Sequence, residues 1–159
     1  MSTNSCIQTL ARWYGLVLLL LTALFAFRVI AQLVQIWHPV EFLPAFGLWH
    51  SGTLPYGWLV GMQVLILAMC LRIVWYLFSG IVIPSARKGR LLLVLGCVYF
   101  GGMCVRLMVG LTIAPTHVWF GATLPTVFHL VLAAFVILYG RFHSLGSQKL
   151  VEIHKGASA

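Results

Sequence analysis

The sequence predicts an all-α integral membrane protein, a four-helix bundle with both termini on the cytoplasmic side and an interfacial outer loop between helices one and two. Three observations carry that expectation. Of 159 residues 62% are hydrophobic and only 8% charged, a balance that cannot clothe a soluble domain in a polar surface. The apolar residues fall into four long runs, Trp13–Ile36, Tyr56–Ile83, Leu91–Ile113 and Val118–Tyr139. Finally, Lys and Arg occupy alternate connections only.

Each run is long enough to span. A hydrocarbon core about 30 Å thick takes roughly 20 helical residues, and its backbone polar groups must pair within the segment. The first run also has a rival reading as a cleaved signal peptide, because Arg12 precedes an apolar stretch ending in Thr22-Ala23-Leu24-Phe25-Ala26. The run continues through Arg28 to Ile36 with a polar face of its own, which favours a retained helix.

Orientation comes from the connections. Arg12 precedes helix one, Arg87, Lys88 and Arg90 join helices two and three, and Arg141, Lys149 and Lys155 follow helix four. The segments 37–55 and 114–117 contain no Lys or Arg. This asymmetry places the termini and the middle loop inside a plasma membrane, the inner membrane of a bacterium. The expected organisation is a transmembrane domain over 1–143 and a polar cytoplasmic tail over 144–159. Trp37, Trp49 and Trp119 fall at the outer boundary, where indole suits the headgroup layer.

The net charge of +8 does not point to nucleic acid, since the cations are scattered among apolar runs and form no basic stripe. Cys6, Cys70, Cys97 and Cys104 show no CxxC spacing and read mainly as small packing residues, with Cys70 and Cys104 conceivable as a redox pair at similar depth.

The polar residues inside the runs carry the functional expectation. At ~1.5 Å per residue, Arg28 and Arg106 both lie about 20 Å from the inner boundary, and Gln63 falls near the same level. Arg28, Gln32 and Gln35 follow i, i+4, i+7 spacing and share one face. Gly102 and Gly110 flank Arg106 at i−4 and i+4, either admitting a neighbouring backbone or leaving room for a bound molecule. Pro125 is expected to interrupt helix four, freeing the carbonyl of Gly121, with His129 one turn deeper. These residues outline an outer-leaflet pocket of Arg28, Gln32, Gln35, Gln63, Arg106 and His129. Snorkelling of both arginines to the outer headgroups is the competing account. Arg72, near the inner end of helix two, is expected to snorkel inward.

No spanning run contains Asp or Glu, so the two cations need another answer: Glu41, or a ligand with an anionic or carbonyl-bearing head such as a quinone, a lipid headgroup or a polyprenyl phosphate. A b-type haem on His129 would need a second histidine that no other run supplies. His38, Glu41, His50 and His117 are candidate ligands for an outer metal, which would make the protein a metal-dependent membrane enzyme, but their spacing matches no metal motif. His50 and Ser51, being adjacent, make no catalytic pair. A further expectation is an assembly subunit whose membrane partner, or a second copy, supplies the missing carboxylates.

Arg28 in helix one, His38-Pro39 and Thr53-Leu54-Pro55-Tyr56 in the outer loop, Gln63 early in helix two and Arg87-Lys88-Gly89-Arg90 before helix three together resemble the DoxX-like group of small four-helix membrane proteins. The resemblance covers roughly the first two thirds of the chain and implies a subunit associated with quinone and thiol redox chemistry. The chain departs from that group in having Gln63 where a Glu is common and an uncharged Gln35-Ile36-Trp37 where a Lys often ends helix one.

Overall fold

A computed structural model of the chain describes residues 3–44, 47, 49, 55–117 and 119–157, with side chains described between 7 and 152. His50, Ser51, Thr53, Leu54, Val118 and the side chain of Cys6 lie outside the described residues. The described residues are all-α, with helices α1 (Thr3–Trp37), α2 (Tyr56–Phe78), α3 (Ala86–Thr112) and α4 (Thr123–Ala157) and no strand. Each contains a stretch long and apolar enough to cross a membrane: Ile7–Trp37, Tyr56–Phe78, Ala86–Thr112 and Thr123–Glu152.

The helix ends have local causes. Gly80 takes φ +68°, a conformation open to glycine without a Cβ penalty, and the Ile81 amide then bonds back to Tyr76 O (3.2 Å) to close α2 in a Schellman turn. The expected run to Ile83 stops there, and extended Ile81–Ser85 leads into α3. At the far end of α3 the amides of Ile113 and Ala114 both reach Val109 O at 2.9 Å, and Pro115 cannot continue the ladder.

Helix four differs from the sequence expectation at both ends. It begins at Thr123, so Pro125 sits in the first turn, where a missing amide proton leaves no bond unmade. The Gly121 carbonyl is not freed by the proline; it accepts from Thr123 N (2.8 Å). The helix also continues past Tyr139, through residues 144–157, to Ala157.

The packed pairs are α1 with α2, α1 with α4, and α3 with α4. Burial is greatest in the apolar stretches of α1 and α4 and least in those of α2 and α3. The order across the bundle is therefore α2, α1, α4, α3, with the outer two helices turning Trp58, Leu65, Trp75, Val98 and Val105 outward. An apolar surface of this kind suits lipid, which carries no penalty for exposed hydrocarbon. Cys70 on α2 and Cys104 on α3 are free thiols on helices that do not pack together, which leaves the packing reading of these cysteines in place of a redox pair.

Packing differs between the two halves. Large side chains fill the α1, α2, α4 core, where Leu18, Leu77 and Phe142 are fully buried. Glycines bring α3 and α4 together. A Cβ on Gly89 would stand 2.7 Å from Ser144 N, and one on Gly140 would stand 2.9 Å from Leu93 N. Close backbone approach of this kind maximises dispersion contact where no hydrophobic force drives helices together.

Candidate functional site

The face of α1 that carries Phe25, Arg28, Val29, Gln32 and Gln35 points inward, and all five are buried. Periodicity explains this: the residues recur every three or four positions and so share one side of a 3.6-residue helix. Arg28 is 4% exposed and Arg106, on α3, is 5% exposed. Neither guanidinium turns out into the surrounding lipid.

Each arginine is answered by a connection between helices. Arg28 donates to Trp49 O at 3.1 Å and lies 5.3 Å from the Phe128 ring centroid. Arg106 donates to Trp119 O at 2.7 Å and stacks 4.1 Å from the Trp119 ring. Backbone carbonyls and aromatic faces offset a cation only partly, because they carry dipoles and quadrupoles instead of a net charge. The Nε atoms of both side chains are buried without a hydrogen-bond partner. Glu41, the carboxylate nearest in sequence to this layer, is exposed.

The three glutamines are committed to structure. Gln32 and Gln63 exchange amide hydrogen bonds at 3.3 and 3.4 Å, joining α1 to α2, and Gln32 also donates to the Tyr56 hydroxyl (3.3 Å). Gln35 organises the start of the α1–α2 connection: its Nε2 donates to Leu43 O (3.1 Å) and Pro44 O (2.8 Å), while its Oε1 accepts from Val40 N (2.7 Å). Trp49 Nε1 donates to the same Pro44 carbonyl at 2.8 Å, so one short network holds both the loop and the carbonyl that Arg28 grips.

The Gln32–Gln63 pair gives a direct test. Gln63→Leu should lower stability by about 1–3 kcal/mol, since it strands a buried amide, whereas Gln32→Leu with Gln63→Leu should recover most of the loss. Thermal unfolding in detergent of the two single variants and the double variant measures this. A double variant as unstable as the sum of the singles would show that the pair is not what holds these helices.

Helix α4 stands between the arginines. Its Phe128 ring meets the Arg28 guanidinium. His129 Nδ1 and the Tyr99 hydroxyl share a 2.6 Å hydrogen bond. Tyr99 was not anticipated, although its place seven residues before Arg106 puts it on the same face of α3.

The flanking glycines divide. A Cβ on Gly110 would collide with Phe120 O, so this glycine admits the returning backbone of the α3–α4 connection; around Gly102 nothing lies within 4 Å. His117 shapes that connection, its Nδ1 accepting from Trp119 N (3.2 Å) and Phe120 N (3.4 Å). His38 and His117 are not gathered with other ligand side chains into a metal-sized group among the described residues.

Two residues at the other end also escaped sequence reasoning or were seen only in part. His143 is buried, accepts from Ser85 N at 3.2 Å and packs edge-on against Tyr139. Its acceptor nitrogen serves the start of α3, whose Ser85 makes no side-chain cap of its own. Arg72 is exposed and reaches one turn along α2, donating from Nε to the Tyr76 hydroxyl (3.0 Å).

What the site can do chemically follows from its composition: two guanidinium groups with unused donors, a phenol–imidazole pair between them, and aromatic walls. It can receive electron-rich oxygen atoms. No family model matches the chain, and neither the curated proteins nor the solved structures include a match to it.

Proposed function

We propose that the protein is a small multi-pass subunit of the plasma membrane, the inner membrane of a bacterium, that binds a lipophilic ligand through an anionic or carbonyl-bearing head. The head is held at the level of Arg28 and Arg106, in the outer leaflet, with His129 and Tyr99 beside it. Both termini face the cytoplasm in this reading, supported by the basic residues at Arg12, Arg87, Lys88, Arg90 and Arg141. The aromatic first loop lies along the outer interface.

One observation carries the proposal: two arginines are buried side by side with α4, each held by a loop carbonyl and each with an unpartnered Nε. A charge taken out of water costs several kcal/mol unless it is paired. The loop carbonyls are exchangeable, because they belong to connections and not to helix ladders, so a ligand head can replace them. Charge balance favours a phosphate or another anion over a neutral quinone, although a quinone carbonyl uses the same donors. The likeness to the DoxX-like group accords with the quinone.

Mass spectrometry of small molecules extracted with the purified protein tests this reading. The expected result is a near-stoichiometric amphiphile with an acidic or carbonyl head. Recovery of only the bulk lipids that accompany an unrelated four-helix membrane protein would overturn it.

A further inference from the structure

At the opposite end of the bundle from the arginine layer, α1 and α2 leave a shallow groove of ≈480 Å³ lined by Leu19, Leu71, Arg72, Val74, Trp75 and Phe78. Arg72 is the one charged residue in that lining. Its Nε donor is spent on Tyr76, and its ring contact is also with Tyr76, the guanidinium lying 5.3 Å from that centroid. The terminal amino groups, with four of the five guanidinium donors, are uncommitted among the described residues.

The direction of this side chain matters. Side chains on a helix ordinarily lean toward its N-terminus, but Arg72 contacts Tyr76, one turn toward the C-terminal end. That end lies about 9 Å away by helical rise, and beyond it stands the start of α3 with Arg87, Lys88 and Arg90. The guanidinium is thus carried toward the basic edge of the bundle, the level at which lipid phosphates sit if that edge is cytoplasmic. From it the apolar part of the groove runs back toward the middle of the bundle, along Val74 and Leu71 on α2 and Leu19 on α1.

The geometry points to a specific site for one anionic phospholipid, its phosphate held by Arg72 beside the Tyr76 hydroxyl and one acyl chain laid in the α1–α2 groove. Charge complementarity selects this occupant over a zwitterionic lipid, whose own ammonium competes for the phosphate. A protein helix would have to bring a carboxylate to the same point, whereas every anionic lipid carries its charge at this depth. The site is separate from the arginine layer: Arg72 is exposed, Arg28 and Arg106 are buried, and each can fail without the other.

Native mass spectrometry of the full chain, released from nanodiscs of equal phosphatidylglycerol and phosphatidylethanolamine with matched acyl chains, tests the assignment. The native chain should retain phosphatidylglycerol preferentially. Arg72→Gln should lower that preference about 5-fold, the ratio expected for one basic group near the surface, while Arg72→Lys keeps most of it. Trp75→Ala should reduce retention of both lipids alike, and Arg90→Gln should leave the preference in place. An unchanged preference in Arg72→Gln, or an equal fall in Arg90→Gln, would overturn the site in favour of a diffuse surface field. A lipid-free dimer lost on Arg72→Gln would overturn it in favour of a second copy.

Discussion

Arg28→Leu and Arg106→Leu are each expected to cut retention of the proposed ligand by at least about tenfold. A hydrogen bond from a charged donor contributes roughly 1.5–3 kcal/mol, and 1.4 kcal/mol is a factor of ten. Loss of the cation also removes the attraction that would select an anionic head. Insertion should not suffer, because leucine enters the bilayer centre more readily than arginine. The two variants differ in one respect. Arg28→Leu releases Trp49 O in the α1–α2 connection, whereas Arg106→Leu releases Trp119 O in the α3–α4 connection. Quantifying co-extracted ligand per protein in the two variants, with Arg90→Gln as a charge control, measures the effect. Native stoichiometry in both leucine variants would end the proposal.

The largest effect on stability is expected from Gly110→Ala. Helix propensity alone would favour alanine in mid-helix by about 1 kcal/mol. Against it, the new Cβ meets the carbonyl oxygen of Phe120, with the Phe120 carbonyl carbon 2.8 Å away. Both atoms are backbone and cannot rotate aside, so the α3–α4 connection must move bodily. Overpacking of this kind costs typically 1–3 kcal/mol and sometimes more, which exceeds the propensity gain. Because Trp119 adjoins Phe120, the same shift would also pull the Trp119 carbonyl from Arg106. Gly102→Ala supplies the comparison, since nothing lies within 4 Å of that position. Its unfolding midpoint in detergent should equal or exceed that of the native chain, while that of Gly110→Ala falls. Should Gly110→Ala match Gly102→Ala, the close approach at Gly110 does not constrain the fold.

Several features were legible in advance because they are periodic or local. The four apolar runs required helices, since nothing else satisfies the backbone in hydrocarbon. The i, i+4, i+7 spacing of Arg28, Gln32 and Gln35 put them on one face, and all three are buried on it. Reading helix ends was less successful. A run of hydrophobic residues does not reveal where Gly80 reverses the chain or that Pro125 opens a helix instead of breaking one.

Partnership among the polar groups was decided by tertiary structure alone. Gln32 and Gln63 are 31 residues apart, and Tyr99 and His129 are 30 apart. Their meeting depends on which helices pack, and apolar runs of similar composition do not encode that order. Sequence spacing grouped six residues in one pocket. The fold adds what spacing does not show: the glutamines hold helices and a loop together, and Tyr99 joins His129.

Composition and period by themselves determined that this chain belongs in lipid and which helix face carries its charge. Only the packed arrangement decided what answers that charge, because a carbonyl on a returning loop has no signature in residue type. Such a group becomes a partner solely through the path the backbone takes to reach it.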